Sequence, residues 1–385
     1  MKIAREYCLS LRLLFCLALS IIVCGYCKRD KSDLMASNMS DTVINEGPPA
    51  QPSLRLEFVE DLSITNEGWW PATLDVDEKG NIYICDEKEG SIRKYSSEGN
   101  PLLEKTFKKG QGPGDFNFMD LHCSSNGLVY IFDQMVRRLS VLDSDLNVHS
   151  TRMLDGSCTF RMDSTGNLFL WQIGGQENTA TLAKYSPSGR VIGKIVEMRV
   201  VEDQFIPEKG TFVWPLYLPQ TIYKLDSDDN VYLCTTDKYE VTVVSPDGRQ
   251  LMKIVKKGQT RRFTTRDRDM LPSAPAPANP FRTEYLAPVN VPPVTDFFIL
   301  KDHSLLVLTH ENPYDDKMIA GDIFNSRGDY LSRVQVPKYY LWNFQTHPLG
   351  KKAALYKDGN FYTIEANEAE DRFFVKRYRV LEVAE

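Results

Sequence analysis

From residue 54 onward the chain keeps no long apolar pattern of helical period. Short runs rich in Val, Ile, Tyr and Phe recur instead, separated by clusters of Gly, Asp, Asn and Ser, which is the pattern of β-strands joined by tight turns. One unit is plain at residues 72–107: a first strand, the turn Asp77-Glu78-Lys79-Gly80-Asn81, a second strand Ile82-Tyr83-Ile84-Cys85-Asp86, a third over 92–96, a turn at 97–100 and a last strand. Four strands and three turns make one blade of a propeller.

The unit repeats, and a repeat period of about 40 to 50 residues marks a propeller or a solenoid. The second copy has Ser125-Asn126-Gly127 before 128–133, then 138–142 and the turn Asp143-Ser144-Asp145. The third has Asp163-Ser164-Thr165-Gly166-Asn167 before 168–171, then 183–186 and Pro187-Ser188-Gly189. The fourth has 226–230 before 231–235, then 241–245 and Pro246-Asp247-Gly248. The fifth is looser, with Lys301-Asp302-His303-Ser304 before 305–309 and later 323–326 with Arg327-Gly328. The sixth has Lys357-Asp358-Gly359-Asn360 before 361–364, then 373–380, and stops short of a fourth strand. The strand-like run 54–60 is expected to supply it, closing the ring through both termini and leaving no edge open to aggregation. The expected fold is thus all-β: a six-bladed β-propeller over 54–385, closed by the N-terminal strand pairing into the last blade, with a Pro-rich insertion at about 258–293.

Between the first two blades the sequence reads Lys109-Gly110-Gln111-Gly112-Pro113-Gly114-Asp115-Phe116. Together with Gly80-Asn81-Ile82-Tyr83-Ile84 before it and Asp86 ending that strand, it resembles the Gly-rich connection of NHL repeats. The resemblance covers the first two blades well; the later ones keep only the turn pattern. The chain is similar to NHL-repeat-like six-bladed propellers, among them bacterial exported proteins and lipoproteins. Catalytic propellers of the lactonase-like and peptidylglycine-lyase-like kinds hold a metal over the central channel with carboxylate, Asn or His ligands, so the resemblance directs attention there. His122, His149, His303, His310 and His347 do not recur at one blade position and lack ligand spacing, which argues against zinc. Asp226 to Asn230 has calcium-loop composition without the required Gly and Glu, and reads as a polar turn. Gly110, Gly112 and Gly114 precede no helix that would make them a phosphate cradle.

The N-terminus follows a different rule. Lys2, Arg5 and Arg12 lead into an apolar run at 13–23, too short to span a bilayer comfortably, so residues 1–27 read as a secretory signal peptide. The run ends at Cys24 and Cys27 before Lys28-Arg29-Asp30-Lys31, which resembles a lipoprotein signal, with Cys24 the better candidate for acylation. Val23 stands where a lipobox has a small residue, so secretion without lipid and an uncleaved anchor stay open. Residues 28–53, rich in Ser, Asn, Asp and Pro, read as a flexible linker. The expected location is the periplasm or outer membrane as a lipoprotein, otherwise the medium.

Composition excludes several classes. With 42% hydrophobic and 25% charged residues the chain is ordinary globular material. The leader holds Lys2, Arg5 and Arg12 against Glu6, a net +2, so the remainder carries −8 rather than −6. An acidic domain without a basic stripe is a poor partner for nucleic acid. Cys85, Cys123, Cys158 and Cys234 show no CxxC spacing, and Cys85 and Cys234 sit in strand-like runs as small hydrophobes. No Gly-x-Ser-x-Gly elbow is present.

Two features are left as candidate binding surfaces. Trp69 and Trp70, Trp214 and Tyr217, and Trp342 with Phe344 precede inner strands on one face, where they form either an aromatic binding rim or wedges between blades. In the insertion, Arg261, Arg262, Arg266 and Arg268 make a basic segment before a run of prolines that excludes ordinary strand or helix. It is expected to bind an acidic or carboxylate-bearing partner, or to be plain linker. Asp86, Asp133 and Asp237 end second strands and either face the channel mouth or accept hydrogen bonds from turns. The expected function is a non-catalytic, monomeric binding or scaffold module for a cell-envelope protein or small glycan, with no cofactor. The alternative is a hydrolase or lyase using calcium or zinc.

Overall fold

The turns show how this sequence makes blades. Asp77 Oδ1 accepts from the backbone N–H of Lys79 and of Asn81, both at 2.9 Å, and Oδ2 accepts from the Asn81 side chain at 2.8 Å. Asp163 and Asp226 close their turns in the same way, so the Asp226 to Asn230 run is a turn. The fourth turn position has a left-handed backbone, filled by Gly80 (φ 78) and Gly166 (φ 82), but by Asp229 (φ 64) and His303 (φ 62) in the fourth and fifth blades. That substitution is why the Gly signal fades along the chain.

The computed structural model describes residues 26–27, 41–47 and 54–383, apart from 66–67, 87, 113, 118, 134–135, 155–156, 174–178, 202–204, 207–210, 216–220, 259, 270–281, 312–316, 341–351 and 368–371. Six four-stranded antiparallel units stand in a ring. Blade 1 runs from the axis outward as Pro71–Val76, Ile82–Asp86, Ser91–Tyr95 and Pro101–Thr106. Its first two strands are buried at every position, while the outermost alternates between exposed and half-buried. Inner strands meet a neighbouring blade on each face and so read as continuous apolar runs; the outer strand meets water. The other inner strands are Met119–Cys123, Ser157–Met162, Thr221–Leu225, Val294–Ile299 and Ala354–Lys357.

The core lies between blades. Tyr83, Ile92, Phe116, Leu121 and Ile131 pack the joint of blades 1 and 2. Phe132, Phe160 and Leu170 pack the next, and Phe297, Leu305 and Phe324 join blade 4 to blade 5. Ring closure is as the sequence predicts and longer: Arg55–Thr65 pairs antiparallel with Arg372–Val383, from Arg55 opposite Val383 to Thr65 opposite Phe374. Cys85, Cys123 and Cys234 are buried, and none is in a disulfide among the described residues.

Two segments depart from expectation. Within 28–53, read as a linker throughout, Asp41–Asn45 is a parallel fifth strand on the outer edge of blade 4, beside Gln250–Lys256. Pairing at an edge needs only free backbone groups, which the polar composition did not reveal. Asn45 then bridges to blade 5, donating to Gly328 O at 3.0 Å and accepting from Tyr330 N at 2.9 Å. Tyr26–Cys27 lies antiparallel to Val200 and Val201 at the edge of blade 3. In the insertion, Thr265–Asp269 is a short helix and Arg282–Leu286 a strand parallel to Thr211–Pro215. The prolines there fall outside both elements, so nothing blocks their hydrogen bonds. The connections leaving blades 3 and 4 therefore meet in a small sheet of their own, completed by Phe205–Ile206.

Candidate functional site

The position two residues before the first turn of each blade faces the propeller axis. Blades 1 to 4 place Asp75, His122, Arg161 and Lys224 there, each one residue ahead of an apolar residue and then Asp or Ser. Asp120, also on the blade 2 inner strand, Asp296 on that of blade 5, and Lys352, just ahead of that of blade 6, complete an axial cluster of charge. Asp75 Oδ2 lies 2.9 Å from Lys352 Nζ and 3.3 Å from His122 Nδ1, and accepts from Cys123 N at 3.0 Å. Lys352 also donates to Leu121 O at 2.8 Å. Lys224 Nζ sits 3.0 Å from Asp296 Oδ1 and 3.8 Å over the Phe298 ring. Asp296 Oδ2 accepts from Tyr339 at 3.3 Å.

Burial and pairing pull these groups apart in acidity. Burial raises the Asp75 carboxyl, but the Lys352 ammonium and the His122 hydrogen bond outweigh it and hold the group well below the usual carboxylate range. Asp120 has less help: burial, only partly offset by Lys352, Arg161 and the Phe160 backbone N–H, pushes it up to about 6. Burial lowers His122 and Lys224 despite their acidic neighbours. Asp120 is 2% exposed, its side chain fully buried, with the backbone N–H of Phe160 directed at it. The nearest cation, Arg161 Nη1, stands 3.8 Å away.

A second feature is a cavity of about 280 Å³ between blades 4 and 5, walled by Tyr239, Lys256, Pro292, His310 and Arg261 among others. The insertion folds back over it through one clasp. Arg261 donates from both Nη atoms to Asp267 at 2.6 and 2.8 Å, and Asp267 accepts from Thr264 N at 2.7 Å. Burial pushes the Asp267 carboxyl up, but Arg261 and Thr264 hold it at about 2. Asp322 lies beside this wall, fully buried, bonded by Lys256 and Tyr239 at 2.6 Å, Tyr330 at 2.7 Å and Arg333 at 2.9 Å. His310 is pushed down to about 4 by burial, and its Nδ1 bonds Pro292 O at 2.8 Å.

The residues singled out from sequence are scattered. Trp69 is 3% exposed in the core joining blades 6 and 1, under the Arg93 guanidinium at 5.4 Å, so it wedges blades and offers no ring to a ligand. Trp70 is 44% exposed and tilted against Phe373 at 5.2 Å. Trp214 stands in strand register with Tyr285. Tyr217, Trp342 and Cys24 lie outside the described residues. Arg261 forms the clasp, while Arg262, bridged to Asn290, and Arg266 and Arg268 are exposed. Asp86 and Asp133 accept from the backbone of Trp70 and Asn117, as turn acceptors do. Asp237 stands at the rim of the cavity, where partial loss of solvent raises its carboxyl. Among the described residues no three His, Cys, Asp or Glu side chains are placed to hold a metal.

The ring of six antiparallel blades defines the class: a six-bladed β-propeller. The chain superposes on a Bacteroides fragilis protein described as exported with a TM-score of 0.52 and 12% identity, over 88% of this chain and 99% of that one. It superposes on a DUF4221 family member from Bacteroides vulgatus with a TM-score of 0.50 and 10% identity, over 86% and 100%. Virginiamycin B lyase from Staphylococcus aureus gives 0.42 at 13% identity, over 84% and 99%. At such identities the likeness is one of fold. No family model matches the sequence, and no curated protein matches it.

Proposed function

We propose that this chain is an exported, non-catalytic binding module of the cell envelope, tethered through acylated Cys24, which engages an acidic envelope protein or a small glycan through the face that carries the insertion. The observation behind this reading is the clasp. Arg261 and Asp267 fold an insertion back onto a rigid ring, so a loop rich in exposed arginine is held in a fixed place on an otherwise acidic molecule. Fixed loops on rigid scaffolds lose little entropy on binding. Export is supported by the leader and by the likeness to a propeller described as exported.

The test is charge reversal of Arg262, Arg266 and Arg268 together, with Arg261 kept so that the clasp stays intact. Photo-crosslinking from residue 265 in the native envelope should lose its adduct while the melting temperature is unchanged; an undiminished adduct sinks the reading. Metabolic labelling with a fatty-acid analogue should mark wild type and not Cys24→Ala.

A hydrolase or lyase reading draws on a different observation, the raised Asp120 carboxyl on the same strand face as a His122 held neutral, a combination suited to proton transfer. Metal content and melting temperature before and after chelation separate the two readings: stoichiometric calcium or zinc with a falling melting point favours the enzyme.

A further inference from the structure

We propose that the cavity between blades 4 and 5 is a binding site for an organic ammonium, a primary amine on a short apolar body, with the Asp237 carboxylate receiving the charge and the inner wall of the insertion receiving the body. The site is distinct from the exposed arginines of the insertion and does not depend on what they bind.

Three observations carry the proposal. First, the space is bounded by fixed elements. The cavity measures about 280 Å³ and lies between the end of the outer strand of blade 4, the turn ahead of Glu240–Val244 and both ends of the insertion. Pockets for small ligands begin at about 300 Å³. The two ends of the insertion are tied together beside it: Val291 N donates to Arg261 O at 2.8 Å, and Phe263 N to Val289 O at 3.1 Å. Arg261 Nε donates across to His310 O of blade 5 at 3.2 Å. Buried Val291, with Pro292 and Pro293, gives the cavity an apolar side. Gly258 leaves room on the other, since a Cβ there would meet no atom within 4 Å.

Second, the cations of the inner wall are already matched. Lys256 Nζ lies 2.6 Å from Asp322, Lys257 Nζ 2.6 Å from Glu46 and Arg261 Nη2 2.6 Å from Asp267. His310, held down to about 4 by burial, is uncharged at neutral pH. An entering anion therefore meets no unmatched cation on this wall, and an entering ammonium meets none to repel it. Third, Asp237 at the rim is in the opposite condition. Partial loss of water and the nearby Glu240 push its carboxyl up, opposed only by its own backbone N–H and the adjacent Lys238 charge. An ammonium placed there supplies both a counter-charge and a charge-assisted hydrogen bond. A bare metal ion does not fit, because among the described residues no three His, Cys, Asp or Glu side chains converge to hold one.

A free alkylamine and the lysine side chain of a peptide carry the same group. The test is saturation-transfer NMR titration of the full chain with n-butylamine, with butanol and butyrate as neutral and anionic controls of equal length, and with N-acetyl-lysinamide. Butylamine should bind at least tenfold more tightly than butanol or butyrate, the worth of one charge-assisted hydrogen bond. N-acetyl-lysinamide binding as well as butylamine assigns a peptide lysine; weaker binding assigns a free amine. Asp237→Asn should erase the preference for the amine, and Gly258→Leu, which extends into open space, should abolish binding, both at an unchanged melting temperature. Absence of transfer to both amines, equal or tighter binding of butanol or butyrate, or a preference that survives in Asp237→Asn overturns the proposal. Undiminished binding by Gly258→Leu overturns it as well, since the amine would then lie outside the cavity.

Discussion

Replacing Asp120 by Asn should make the protein more stable near neutral pH, because the ionised carboxyl is held against its own interest. The group titrates at about 6 in the fold, against about 4 for an ordinary aspartate. A carboxyl whose folded value is raised binds its proton more tightly when folded. Its contribution is therefore favourable below the unfolded value, is lost as pH climbs through 6, and is absent above that. That difference corresponds to about 3 kcal/mol at pH 7, the attraction of Lys352 and Arg161 already included. The amide leaves its own polar atoms short of partners, at about 1 kcal/mol, so the net gain is about 2 kcal/mol. For a domain of this size that is about 3 °C in melting temperature. Urea denaturation of both proteins at about pH 7 and about pH 4 checks it: the gain should be present at the first and gone at the second. A variant less stable than wild type at neutral pH, or one equally stabilised at both, refutes the reasoning.

Asp322→Asn should do the opposite, destabilising by about 3 kcal/mol, since it leaves Lys256 and Arg333 facing each other without their shared anion; burial raises this carboxyl but Arg333 and Lys256 hold it low, so wild type should lose this contribution as pH falls through the folded value, seen by chemical denaturation in acid. Asn45→Ala removes the two bonds to Gly328 and Tyr330 and should cost about 1–2 kcal/mol, with hydrogen exchange rising at 325–330 while the blade cores stay protected. Arg261→Ala leaves buried Asp267 without its cation and should open the insertion without unfolding the ring, measured as faster proteolysis between 258 and 293 at an unchanged melting temperature.

The turns made the fold legible. Asp at the first position and Asn at the fifth serve one local hydrogen-bond geometry, so the same letters return in blades 1, 3 and 4 wherever that geometry returns. Closure by Arg55–Thr65 followed from counting strands. The axial cluster stayed hidden for the converse reason. Asp75, His122, Arg161 and Lys224 occupy equivalent positions but are four different residue types, because a cluster of balanced charge needs both signs. A search for a repeated ligand passes over them, whereas reading the position two before each turn would have gathered four at once. Trp69 misled because an aromatic ahead of an inner strand suits a rim and a wedge equally; only the neighbouring Tyr95 and Arg93 decide it. Asp41–Asn45 carried no signal, since an added edge strand is held through its backbone.

The N-terminal segment also determines how the molecule takes a pull. Tension applied ahead of residue 41 reaches the closing strand only after the ladder from Asp41 opposite Met252 to Asn45 opposite Lys256, and then the grip of Asn45 on the hairpin of blade 5, have given way. Along the strand these bonds are loaded together, in shear. The short strand thus works as strain relief on a cable, to be shed and regained while the ring stays shut.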